Sequence, residues 1–160
     1  MNTFQYTIAA VIDAFQLPVA FAVFVAGSAA VLACRSRVHA LVLAVSSIGA
    51  WSAATLLKLT FAIPRPDTAL IEATGYRFPS IHAAVAGAFF GSLAISTYIL
   101  SRSKKTRVAG IILAVLAVLV VCWSRVFLQV HLPIDVLSGA ALGFAIACIS
   151  HRAFRGRCFC

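Results

Sequence analysis

The chain has 160 residues, of which 62% are hydrophobic and only 11% charged, with a mean hydropathy of +1.04. This composition excludes an ordinary soluble domain and the length excludes two domains of typical size, so residues 1–160 read as a single membrane-embedded domain. The formal charge of +9 does not point to nucleic acid, because the cations lie scattered between apolar runs and form no basic stripe with interleaved aromatics.

From the N-terminus, Phe4, Ile8, Val11, Ile12 and Phe15 recur at helical spacing, which predicts a short helix lying in the interface over residues 4–15. No Lys or Arg precedes Arg35, so the charged start of a cleavable signal peptide is not expected. Leu17–Cys34 is the first run long enough to cross about 30 Å of hydrocarbon as a helix. Val38–Leu57 is the second and is closed by Lys58. A polar interval follows with Pro64, Pro66 and Gly75 as breakers, since proline removes a donor and disfavours helix in the residue before it. Ala83–Ser101, Val108–Ser124 and Ile134–Ser150 supply three further crossings. The expected fold is therefore all-α, an integral membrane helical bundle with five transmembrane helices plus a short N-terminal interfacial helix. Gly87/Gly91 and Gly139/Gly143 match the small-xxx-small spacing that lets membrane helices approach closely.

Lys and Arg divide unevenly between the two ends of this bundle. Arg35, Arg37, Arg102, Lys104, Lys105, Arg107, Arg152, Arg155 and Arg157 fall on one side, and Lys58, Arg65, Arg77 and Arg125 on the other. The positive-inside rule then predicts an extracytoplasmic N-terminus and a cytoplasmic C-terminus. The five cysteines form no disulfide framework, and Cys158 and Cys160 with His151 do not fill a four-coordinate zinc site.

With that topology the loop after the second crossing and the hinge between the fourth and fifth meet at the outer face. Lys58, Arg65, Ser80, His82, Arg125, His131 and Asp135 all fall there. Ionisable groups beside hydrocarbon are costly and mark a polar cavity or a partner. Lys58, Arg65 and Arg125 suit a tetrahedral anion and the charge on its equatorial oxygens, with Ser80 adding a hydroxyl donor. His131 and Asp135 are four residues apart, which on a helix brings them within reach of each other. The carboxylate would hold one ring nitrogen and leave the other as a nucleophile towards phosphorus, while His82 serves as acid and base. Asp67, Glu72 and Asp135 are the only carboxylates of the outer loops, too few for a two-metal phosphatase, so no metal and no other cofactor is expected. Each residue also has a purely structural reading. Lys58 would snorkel, Arg65 and Arg77 would meet headgroups, Ser80 would cap a helix, and His131 with Asp135 would form a salt bridge. For His39 and His151 at the other end the structural reading is kept, and Arg77 belongs to no motif.

Taken in order, Lys58-x6-Arg65-Pro66, Pro79-Ser80-x-His82 and Ser124-Arg125-x5-His131-x3-Asp135 resemble the three-part signature of the type 2 phosphatidic acid phosphatase superfamily of lipid phosphatases. The match spans residues 58–139 and departs at Ile81, where the family most often has glycine. The resemblance implies a phosphohistidine mechanism. His131 would be the nucleophile with Asp135 behind it, His82 the acid/base, and Lys58, Arg65, Ser80 and Arg125 the phosphate ligands. Small bacterial undecaprenyl diphosphate phosphatases of this superfamily are similar in their short amphipathic start and few crossings, so undecaprenyl diphosphate is the expected substrate. Phosphatidylglycerol phosphate, phosphatidic acid or a lipid A phosphate are the alternatives, and a non-catalytic lipid or ion carrier is the alternative of another class. The expected location is a bacterial inner membrane. The expected partners are a lipid phosphate and the surrounding lipids, with no nucleic acid.

Overall fold

The structure, a computed structural model, describes residues 18–65, 69–71 and 75–154 together with Thr3, Thr7 and Val11. Most of the expected interfacial helix lies outside the described residues, as do Pro66, Asp67, Glu72, Arg155, Arg157, Cys158 and Cys160. Five helices follow in order: α1 Pro18–Ala33, α2 Arg37–Phe61, α3 Ile81–Leu100, α4 Lys104–Phe127 and α5 Pro133–Phe154. No strand occurs among the described residues. α2 to α5 are each long and apolar enough to cross a membrane. Their outer faces carry exposed apolar side chains such as Leu56 on α2, Leu113 and Leu116 on α4 and Leu137 on α5. A surface of that kind suits hydrocarbon, and the chain is an integral membrane protein.

Three helices run further than their hydropathy suggests, α5 passing Ser150 through His151 and Arg152 to Phe154. α2 passes through Lys58 to Phe61, where Ala62 adopts the left-handed conformation (φ 47°) and its N–H bonds the Lys58 carbonyl. α4 passes through Arg125 to Phe127. A cation ends a hydropathy run without ending a hydrogen-bond ladder, and in the last turn it is favoured by the helix dipole. The true stop after α2 is Ile63-Pro64, where proline bars helix.

α3 is the most enclosed helix and is packed most closely by α5. A Cβ added at Gly87 would fall 2.5 Å from the Ala140 carbonyl oxygen, one at Gly139 2.4 Å from the Ser80 carbonyl oxygen, and one at Gly143 1.8 Å from the Ala84 carbonyl oxygen. Glycine is therefore required for this approach, and both small-xxx-small pairs lie on the one crossing or beside it. α2 joins α3 through buried hydroxyls: Ser46 Oγ and Ser92 Oγ share a 2.7 Å hydrogen bond, and Ser46 Oγ also lies 3.1 Å from the Leu43 carbonyl oxygen. Val25, Leu43 and Phe89 form a core between α1, α2 and α3, and Ala83, Cys122 and Val136 form another between α3, α4 and α5. The second core lies directly beneath the candidate site.

Candidate active site

The site is built at the shared end of α2, α3, α4 and α5. Ser80 caps α3, its Oγ accepting a long 3.5 Å bond from Ala83 N, as the structural reading anticipates. Its own backbone N–H donates to the Asp135 carbonyl at 3.0 Å, which locks the start of α3 to the start of α5. His82 lies in the first turn of α3, half-buried.

The connection from α4 to α5 turns sharply through Gln129 in the left-handed region (φ 55°), and Leu128 and Val130 anchor it in an apolar cluster with Ala69 and Ile71 of the long loop. That loop also hydrogen-bonds the turn, Leu70 N donating to Leu128 O at 3.0 Å. His131 sits in this turn, 3% exposed, and therefore lies outside any helix. Asp135 occupies the third position of α5 and reaches back to accept the Leu132 N–H at 2.8 Å, half of a capping box. This fold-back, and not a shared helical face, brings the carboxylate towards His131.

The pair differs from the expected hydrogen bond. His131 Nδ1 stands 3.7 Å from Asp135 Oδ2, which is ion-pair range but too long for a hydrogen bond, and Nδ1 has no other partner. The carboxylate is occupied by a residue that belongs to no motif. Arg77 Nη1 donates to Oδ2 at 3.0 Å and to Oδ1 at 3.3 Å, with Asp135 fully buried. Arg77 was legible in the sequence only as an outer-face cation without an assigned role.

The three motif cations surround the same place. Lys58 is buried, donates to the Tyr76 carbonyl and lies close enough to Arg65 and Asp135 to feel both charges, so it does not snorkel away. Arg65 clamps the loop to the turn, Nε donating to Gly75 O at 3.1 Å and Nη1 to Val130 O at 3.0 Å. Arg125 is 1% exposed, and its Nε donates to Ser124 Oγ at 3.2 Å. Burying a guanidinium this deeply is costly and calls for anionic or carbonyl oxygens around it. Burial pushes the His131 imidazole well below the ordinary histidine range, and Lys58, Arg65, His82 and Arg125 push it further down. Four groups from four different segments thus act on one neutral ring. Such a place would welcome a multiply charged anion.

Among the described residues no three His, Cys, Asp or Glu side chains cluster as metal ligands. An apolar cleft of about 520 Å³ opens between α3, α4 and α5, with Gly87, Val118 and Ala140 towards the site and Tyr98 and Ile111 towards the far end. At that far end His39 and His151 lie ring to ring at 5.8 Å, with His39 Nδ1 bonded to Ser36 Oγ at 2.8 Å. This arrangement agrees with the structural reading of both.

The model of one family, the PAP2 superfamily, matches residues 37–158. No curated protein sequence matches significantly. Among solved structures the fold is similar to the crystal structure of the first transmembrane PAP2 type phosphatidylglycerolphosphate phosphatase from Bacillus subtilis. The likeness has a TM-score of 0.64 at 20% identity and covers 99% of this chain and 88% of that one.

Proposed function

The chain belongs to the PAP2 superfamily of lipid phosphatases, and from that premise we propose that it removes the terminal phosphate of undecaprenyl diphosphate to give undecaprenyl phosphate. The reaction takes place at the outer face of a bacterial inner membrane. The orientation rests on the excess of Lys and Arg at the opposite end, and α1 completes a set of five crossings.

The observation that carries the mechanism is the convergence of Lys58, Arg65, His82 and Arg125 on a neutral His131. Lys58, Arg65, Arg125 and the Ser80 hydroxyl hold the phosphate and stabilise its charge as the transferring group loosens. The lone pair of His131 Nε2 forms a bond to phosphorus while the bond to the leaving oxygen breaks, and His82 supplies the proton that oxygen takes. Asp135 balances the positive ring. His82, now neutral, removes a proton from water as the water oxygen attacks the phosphohistidine. The P–N bond breaks, returning neutral His131 and inorganic phosphate. Cations hold the positions that metals fill in a two-metal phosphatase, and Asp135 is the one site carboxylate among the described residues.

The test is turnover of purified protein on undecaprenyl diphosphate in the presence of a chelator, with acid-labile, alkali-stable label trapped on His131 from substrate carrying ³²P in its terminal phosphate. His131→Ala should remove both turnover and label while leaving the fold intact. Loss of turnover on chelation, or label on another residue, would overturn the mechanism. A second reading takes phosphatidylglycerol phosphate as substrate and is favoured by the Bacillus subtilis neighbour. Phosphatidic acid and lipid A phosphates remain in the same comparison, and kcat/KM measured side by side decides among them. A lipid or ion carrier would keep its flux in His131→Ala.

A further inference from the structure

The signature residues leave one charged contact of the site unaccounted for. Asp135 Oδ2 already accepts from Leu132 N at 2.8 Å and from Arg77 Nη1 at 3.0 Å, and the same guanidinium nitrogen reaches Oδ1 at 3.3 Å. His131 Nδ1 waits 3.7 Å away. Arg77 is itself fixed. Its backbone N–H donates to Ile63 O at 2.9 Å, and the next residue, Phe78, packs edge-on against Phe61 of α2 with ring centroids 5.3 Å apart. Its side chain keeps 19% exposure, so it lies at the rim of the site while its partner is fully buried. A carboxylate shared between a guanidinium and a helix-capping amide is a weaker acceptor for a third donor.

Resting on the phosphatase reading above, we propose that Arg77 is a positioning residue that acts through Asp135, holding the carboxylate out of hydrogen-bonding range of His131 and so setting how strongly the nucleophilic ring is gripped. The other charged and titratable groups that face the ring are Lys58 of α2, Arg65 of the loop, His82 of α3 and Arg125 of α4. Arg77 is the side chain seen to donate to both oxygens of the Asp135 carboxylate among the described residues. Removing Arg77 lets Asp135 close the gap to Nδ1–H and stabilises the protonated ring.

The experiment follows the titration of His131 in purified protein carrying ¹³Cε1-labelled histidine, with His131→Gln used to assign the signal. The Arg77→Met variant should raise the His131 midpoint by roughly 1 to 3 pH units, the range expected when a carboxylate engages the ring. The acid limb of kcat/KM should move by the same amount, with kcat changing more than KM. Arg77→Lys, which keeps the charge and demands little of the fold, should give a smaller shift in the same direction. In an Asp135→Asn background the Arg77→Met shift should largely vanish. A shift that persists there would show a direct charge effect and overturn the proposal, as would an unmoved midpoint in both Arg77 variants. The titration is independent of turnover. A shifted midpoint in a protein that hydrolyses no lipid phosphate would strike the phosphatase reading and leave the Arg77–Asp135–His131 coupling standing.

Discussion

One methyl group added at Gly139 should uncouple the two halves of the site. An ideal Cβ there stands 2.4 Å from the Ser80 carbonyl oxygen and 3.2 Å from both Ala83 Cβ and Ala84 N. The first distance is about 1 Å inside ordinary contact and the obstacle is backbone, so α5 must retreat from the start of α3 by roughly that amount. The retreat stretches the 3.0 Å bond from Ser80 N to Asp135 O, which ties the start of α5, just after the turn carrying His131, to the start of α3, which carries His82. Overpacking of a close-packed contact costs about 1–3 kcal/mol, and a misplacement of about 1 Å between reacting groups costs about 100-fold in rate. Gly139→Ala should therefore lose about 100-fold in kcat/KM together with about 1–3 kcal/mol of stability. The control is Gly49→Ala, whose added Cβ meets only Ile146 Cγ2 at 3.5 Å. It should keep full activity and gain up to about 1 kcal/mol from helix propensity. Turnover of a lipid phosphate and reversible unfolding, both in the same detergent, measure the two effects. A Gly139→Ala protein with the turnover and stability of the parent would refute the argument that this crossing sets the site.

Three further outcomes are expected. Lys58→Gln should lower kcat/KM by about 10²–10³-fold, as loss of a charge-stabilising donor does elsewhere, and should weaken inhibition by inorganic phosphate; unchanged values of both would return Lys58 to a structural role. The depressed His131 pKa makes stability depend on pH. The unfolded chain binds a proton below pH 6.5 that the folded ring refuses, so this contribution is complete above 6.5 and is lost as the pH falls below it. The loss is at most about 1.4 kcal/mol per pH unit. His131→Gln should therefore flatten the decline in stability between pH 6.5 and 5, and an unaltered decline would assign it to other groups. Ala62→Gly relieves a non-glycine residue at φ 47° and should raise the unfolding free energy by about 0.5 kcal/mol without altering turnover, whereas a destabilised variant would show that the capped turn after α2 carries no strain.

Much of the architecture was already legible in the chain. Runs of apolar residues about 17–25 long have one low-energy solution in hydrocarbon, a helix with its backbone bonded internally, so four of the crossings follow from composition alone. Gly87, Gly139 and Gly143 at helical spacing announce a close crossing, because in lipid only small residues let backbones meet. Lys58, Arg65, Arg125 and His131 stand out because charge beside hydrocarbon needs a reason.

What the order of residues left open is where side chains end in space. Hydropathy places a boundary at Lys58, but helix α2 continues to Phe61, because a lysine can stay in the hydrogen-bond ladder while its ammonium turns into the site. Spacing four apart suggests that His131 and Asp135 share a helix, yet α5 begins at Pro133 and the two meet only because Asp135 folds back over the helix start. Arg77 had no motif to mark it, since its partner is 58 residues away and the contact exists only once α3 and α5 have closed together. Local patterns are set by energies that repeat along the backbone. The grip on the reactive ring is set by a few distances between segments far apart in the chain, and those are decided by packing.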